Sequence, residues 1–130
     1  MHFPVDLKYT ESHLWMKKLG INIYVGITDY FQNSIGPIDL ICLKSNSSFE
    51  KRESCGEIHS KKAKERILMP IAGTILFVNH SKFLTPHVFN TQPYSNWIII
   101  IALQDVRGLK DLLSSREYEK YLKHLHKDGI

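Results

Sequence analysis

At 130 residues the chain is one domain by length and can bury a modest core without disulfide or metal staples. Its 43% hydrophobic and 23% charged residues are the balance of an ordinary soluble globular protein, and its longest apolar run, residues 97–103, is far too short to cross a bilayer as a helix. The net charge of +4 is mildly basic, yet the cations are scattered over 17–18, 61–66 and 107–127 without interleaved aromatics, which argues against nucleic acid as a partner.

Residues 1–7 form a lead-in without the basic and apolar segments of a secretory signal, so a soluble, cytoplasmic protein is expected. Order is expected to begin over residues 8–15, with aromatics at Tyr9 and Trp15. Residues 21–27 alternate, placing Ile21, Ile23, Val25 and Ile27 on one face of a strand. Thr28 makes a good N-cap for a short helix with Asp29 in its first turn. Its apolar edge is Tyr30, Phe31 and Ile35, and Gly36-Pro37 stops it.

Residues 38–43 read as the next strand, with Ile38, Leu40 and Cys42 on one face, and 46–48 as a polar turn. Cys42 and Cys55 lie in no metal-type or CxxC spacing and read as small core hydrophobes in a reducing compartment. After Pro70-Ile71-Ala72-Gly73 comes a strand over 74–78. A long loop over 79–96 follows, with room for one helical turn and of a length that is usually functional or heavily pinned. Residues 97–103 lack alternation and predict a strand buried on both faces. Over 105–126 two helices are expected. Asp105 caps the first, which carries Val106, Leu109 and Leu112. Ser114-Ser115-Arg116-Glu117 is a capping box for the second, with Tyr118, Tyr121, Leu122 and Leu125 at helical spacing. The sum is a mostly-β domain over 1–130, two small sheets packed face to face with a short inserted helix and a helical tail.

Function concentrates in residues 55–70. A half-apolar run leads to a tip where Lys61, Lys62, Lys64 and Arg66 crowd against only Glu57 and Glu65, and a second run ends at Pro70. Taken alone this is a solvated hairpin turn. An enzyme would need other signals. His80 with His87, and His124 with His126, have no ligand spacing with a carboxylate or cysteine, and neither a Gly-rich phosphate loop nor a Ser/His/Asp signature is present. His13 reads as a core or cleft-wall residue rather than a catalyst.

The frame around the tip resembles the glycine cleavage H-protein family. Gly56, Ser60-Lys61-Lys62-Ala63, Pro70 and Gly73 follow the order of its attachment hairpin, in which a Glu-Ser-Val-Lys-Ala signature presents one lysine. Lys8-Tyr9-Thr10-Glu11-Ser12-His13 with Trp15 looks like the family's opening motif, and Val25-Gly26-Ile27-Thr28-Asp29-Tyr30 resembles its Val-Gly-Ile-Thr-Asp segment. Val78-Asn79, Pro86, Asn90, Pro93-Tyr94, Trp97 and Glu117-Tyr118 to Tyr121-Leu122 keep its order. The resemblance implies a lipoyl-domain barrel-sandwich hybrid with lipoate attached to Lys62 at a hairpin tip, flanked by His59, Ser60, Lys61 and Ala63 as recognition residues. It implies a non-enzymatic, monomeric carrier. Its arm would be loaded by a lipoate ligase or lipoyl transferase and visit the decarboxylase, aminomethyltransferase and dihydrolipoamide dehydrogenase of glycine cleavage. A lysine suits such an arm, since its stem is long and flexible and its amine is a nucleophile once deprotonated.

The chain departs from the family in three places. His59 and Lys61 replace the signature's glutamate and valine; Leu14 replaces a glutamate between the motif His and Trp; Glu65-Arg66 replaces a Ser-Asp pair. The resemblance places Ser12, His13, Leu14, Glu65 and Arg66 in a cleft for the arm. An arginine repels a protonated aminomethyl group there and a leucine offers it nothing. Two cargoes therefore stay open. One is the aminomethyl group of glycine cleavage. The other is a sulfur intermediate, as in the H-protein-like lipoate-binding proteins of heterodisulfide-reductase-like sulfur oxidation, for which a basic rim would suit an anionic arm or the acidic surface of a sulfur-oxidising complex.

Overall fold

The computed structural model describes residues 1–128. Among these, nine strands fold into two antiparallel sheets. Lys8–Tyr9 (β1), Leu14–Leu19 (β2), Asn22–Ile27 (β3), Ser48–Phe49 (β5), Gly73–Val78 (β8) and Ile99–Ala102 (β9) make a six-stranded sheet in the order β1-β2-β3-β9-β8-β5. Ile38–Leu43 (β4), Ser54–Ser60 (β6) and Lys64–Leu68 (β7) make a three-stranded sheet in the order β4-β6-β7. Isoleucines of both sheets, among them Ile23, Ile41, Ile58, Ile67, Ile99 and Ile101, meet in one buried core. Each is worth about 1.5–3 kcal/mol relative to an exposed side chain.

The expected short helix is Asp29–Ile35 (α1). The Thr28 hydroxyl accepts from the Phe31 N–H at 3.2 Å, and Gly36 at φ 82° closes the other end. Ile23, Val25 and Ile27 face the core as the alternation predicts, but Ile21 stands in the β2–β3 turn and is 73% exposed. Gly26 lies flat under the Trp15 indole, where a Cβ would come within 2.5 Å of the ring. That close approach lets the indole reach over the strand and donate to the Pro93 carbonyl at 3.0 Å.

In β4 the inward face is not Ile38, Leu40 and Cys42. A bulge between Ile38 and Leu40 advances the register by one, so Ile41 enters the core while Leu40 and Cys42 turn to solvent. Only Cys55 is therefore a core hydrophobe; Cys42 is exposed, and both thiols are free.

The 79–96 segment holds two single-turn helices, His80–Phe83 (α2) and Val88–Thr91 (α3), rather than one. It is pinned: the Asn79 side chain donates to the Trp97 carbonyl and Asn96 to that of Gln92. Residues 98–101 are buried throughout: β9 lies between β3 and β8 within its sheet, and Ile98, Ile99 and Ile101 belong to the main core.

The first of the two expected C-terminal helices is a 3-10 turn, Val106–Leu109, capped by Asp105, with Val106 70% exposed. The second is Ser115–Asp128 (α4), opened by the reciprocal Ser114 and Glu117 bonds of a capping box. Tyr118 and Leu122 are buried against Leu7, Tyr9 and Trp15 in a second cluster, Tyr121 is partly buried there, and Leu125 remains 40% exposed.

Candidate functional site

The β6–β7 hairpin pairs Glu57 with Arg66, Ile58 with Glu65 and His59 with Lys64, leaving residues 61–63 as its tip. Gly56 is required in β6: a Cβ there would lie 2.3 Å from the Cys42 carbonyl oxygen. The tip is closed by Ser60 N–H to the Ala63 carbonyl at 2.9 Å. The Ser60 hydroxyl organises the rest. It donates to the Ile35 carbonyl at 2.6 Å and accepts from the N–H groups of Lys62 at 3.2 Å and Ala63 at 3.1 Å. The tip is thereby tied to the last turn of α1. Asn90 holds that turn from the other side, accepting from Ile38 N–H at 2.9 Å and donating to the Gly36 carbonyl at 2.8 Å.

Lys61 and Lys62 are exposed, and Ala63 packs partly against the core. The Lys62 stem runs near Gly36, where a Cβ would sit 3.8 Å from its Cδ. Glu57 and Arg66 are register partners, yet no ion pair joins them; the Glu57 carboxylate lies 3.5 Å from His59 Nε2, which is buried without a hydrogen bond. That separation is an ion-pair distance too long for a useful hydrogen bond.

Beside the tip opens a cavity of about 260 Å³. Its walls are Glu11, Ser12 and His13 from the loop after β1, Tyr30, Ser34 and Ile35 of α1, and Glu65, Arg66 and Leu68 of β7. Of the expected cleft residues, Ser12, His13, Glu65 and Arg66 converge here. Leu14 does not: it is 1% exposed and belongs to the main core. Arg66 also lines a cavity of about 320 Å³ with Cys42, Lys44 and Glu57, so its charge is shared between two openings. A third space of about 510 Å³ continues from Glu11, Ser12 and Leu68 towards Met69, Pro70 and Leu112, with the 3.1 Å Lys51–Asp111 ion pair among its lining residues.

His13 adopts φ 73°, a left-handed conformation uncommon for a non-glycine residue. Its ring packs 4.4 Å from that of Tyr30, and Nδ1 lies 2.9 Å from the Tyr118 hydroxyl. Burial, and then the nearby His126, press its imidazole down to about 4, so it is neutral at pH 7. Burial drives the Tyr118 phenol upward and keeps it protonated. Among the described residues no cluster of His, Cys, Asp and Glu is suited to a metal ion, and no helix is long and apolar enough to cross a membrane.

Two positions of consequence escape a linear reading. Glu11 adds a carboxylate to the cavity, and Asn90, 52 residues from Ile38 in sequence, fixes the end of α1. The density of Asn and Pro over 79–96 hinted at pinning without saying what is pinned.

The sequence profile of the family described as glycine cleavage H-protein matches residues 7–125. The chain belongs to the glycine cleavage H-protein family. The glycine cleavage system H protein of Halothermothrix orenii is 36% identical over 127 residues, covering 96% of this chain and 99% of its own. That of Clostridioides difficile is 36% identical over 116 residues, covering 88% and 93%. The crystal structure of a glycine cleavage system H protein from Mycobacterium marinum superposes with a TM-score of 0.76 at 26% identity, over 98% of this chain and all of that one. H proteins carry lipoate covalently on a lysine and serve as non-catalytic components of the glycine cleavage system.

Proposed function

We propose that Lys62 is the lipoyl-attachment residue and that the protein shuttles an aminomethyl intermediate on this arm between the enzymes of glycine cleavage. The observation that carries the reading is the Ser60 clamp: Lys62 stands exposed at the tip, its N–H held by a hydroxyl that also grips α1. A fixed backbone beneath a free side chain is what an acylating enzyme must meet, and what lets the arm swing without dragging the tip. Lys61 is also exposed, but its N–H makes no bond to the Ser60 hydroxyl.

The residues beside the tip fit such a group. Lys62 Nζ has no ion-pair partner among the described residues, and the neighbouring cavity offers the apolar Ile35 and Leu68 with the carboxylates of Glu11 and Glu65. When bound, lipoate supplies a dithiolane that takes and gives up cargo at sulfur. The chain itself holds the lysine in place, shields the arm's end, and keeps the intermediate near successive partners by tethering. Those partners are a lipoate ligase or lipoyl transferase, then the decarboxylase, the aminomethyltransferase and dihydrolipoamide dehydrogenase.

Arg66 in the cavity wall favours a second reading, in which the arm carries an anionic sulfur intermediate. Incubation with a lipoate ligase, then with glycine and a glycine decarboxylase, separates the two by intact mass. A lipoyl adduct mapped to Lys62 and lost in Lys62→Arg is expected, followed by an aminomethyl increment. An adduct on Lys61 or Lys64, or none, overturns the assignment. A lipoylated protein that stays unloaded turns the reading to sulfur.

A further inference from the structure

The hydrogen bonds around His13 order its protons. The His13 carbonyl, which can only accept, takes the Thr28 N–H at 3.0 Å and lies 3.0 Å from the Thr28 hydroxyl; donation there uses the single Thr28 hydroxyl proton. The Thr28 hydroxyl oxygen also lies 3.0 Å from the Tyr118 hydroxyl. In that order Tyr118 donates to Thr28. Its own proton is then used, so at 2.9 Å from His13 Nδ1 the phenol oxygen can only accept. Nδ1 therefore carries the hydrogen. A neutral ring with hydrogen on Nδ1 has a bare lone pair on Nε2. Nε2 makes no hydrogen bond among the described residues, and His13 is part of the cavity wall beside Ser12, Glu11 and Glu65.

We propose that His13 is a cargo-binding residue: its Nε2 accepts a hydrogen bond from the amine of an aminomethyl group on the arm, and Tyr118 and Thr28 are positioning residues that hold the accepting tautomer. The assignment rests on the carrier reading with Lys62 as the attachment point. An acceptor without charge suits this place. Glu11 and Glu65 supply the negative charge opposite a protonated amine, and Arg66 opposes it; a neutral imidazole adds a directed bond without a second cation. The left-handed backbone at His13 contributes, because it lets one residue offer its carbonyl to Thr28 and its ring to Tyr118. Tyr118 is itself fixed by stacking on Tyr9, with ring centres 4.9 Å apart and planes within 1°. The C-terminal helix thus reaches the cargo site through one phenol.

The test is nitrogen-15 NMR of histidine-labelled protein, first unmodified, then lipoylated, then loaded from glycine with a glycine decarboxylase, with intact mass at each stage. Expected are the Nδ1–H tautomer of His13 in the unmodified protein and an upfield move of Nε2 only on aminomethyl loading. In Tyr118→Phe the tautomers should mix. In His13→Asn, a residue that tolerates a left-handed backbone, the aminomethyl group should be lost roughly tenfold faster. An Nε2–H tautomer, or an Nε2 signal indifferent to loading, overturns the proposal with the carrier reading intact. A lipoylated protein that takes no aminomethyl group overturns the cargo contact alone. Absence of any lipoyl adduct sinks the carrier reading instead, and the tautomer of the unmodified protein still decides whether the proton order is right.

Discussion

Lowering the pH from 7 to 5 should destabilise this protein through one residue. In the unfolded chain the His13 imidazole titrates near 6.5, whereas in the fold burial, and then His126, press it to about 4. Between those values the unfolded state binds the proton and the folded state refuses it, so stability falls as the pH falls through the window. Integration from pH 7 to 5 gives a loss of at most about 2 kcal/mol, reduced towards about 1 kcal/mol because the ring borders an open cavity. Glu117, whose bonds from Ser114 hold it below the usual value of 4.5, loses its charge only at lower pH. Urea denaturation at pH 7, 6 and 5, wild type against His13→Asn, isolates the effect. The variant starts less stable, but its stability should change with pH by about 1–2 kcal/mol less than wild type. Parallel pH profiles for the two proteins would refute the neutral, buried His13 on which the proton order depends.

Gly56→Ala should cost about 2–3 kcal/mol in denaturant titration, because the added methyl meets the Cys42 carbonyl at 2.3 Å and a ladder backbone cannot step aside. Ser60→Ala should leave the N–H groups of Lys62 and Ala63 without their acceptor and free the tip from Ile35. About 1–3 kcal/mol of local stability is at stake, read as faster amide exchange at residues 62 and 63 and slower lipoylation. Unchanged exchange would mean that the clamp does not hold the tip. Arg66→Ser removes a guanidinium cation from the cavity wall and should slow loss of the aminomethyl group in single-turnover release assays. Faster loss would show that Arg66 supports this cargo.

Local chemistry was legible where neighbours in sequence are neighbours in space. Thr28 caps α1, Gly36 ends it, Ser114 and Glu117 cap α4, and the hairpin over 54–68 forms because each of these depends on residues a few positions apart. Periodicity failed at β4, since a bulge is one extra residue in a ladder and leaves no mark in an apolar pattern. Leu14 shows the same limit from the other side. Its alignment with a polar position in the family suggested a cleft residue, while its place at the start of β2 turns it into the core.

The sequence by itself determined the family, the two-sheet β architecture and the candidate lysine, because ordered motifs and short-range turn chemistry carry that information along the chain. Only the tertiary structure decided what surrounds the candidate lysine. Glu11 and Glu65 are 54 residues apart in number and share one cavity wall, Asn90 reaches back to Gly36, and the Tyr118 hydroxyl lies 2.9 Å from a ring nitrogen of His13, 105 residues away. A cavity wall and a hydrogen-bond order depend on which surfaces the packed core brings together, and that pairing exists only once the chain has closed on itself.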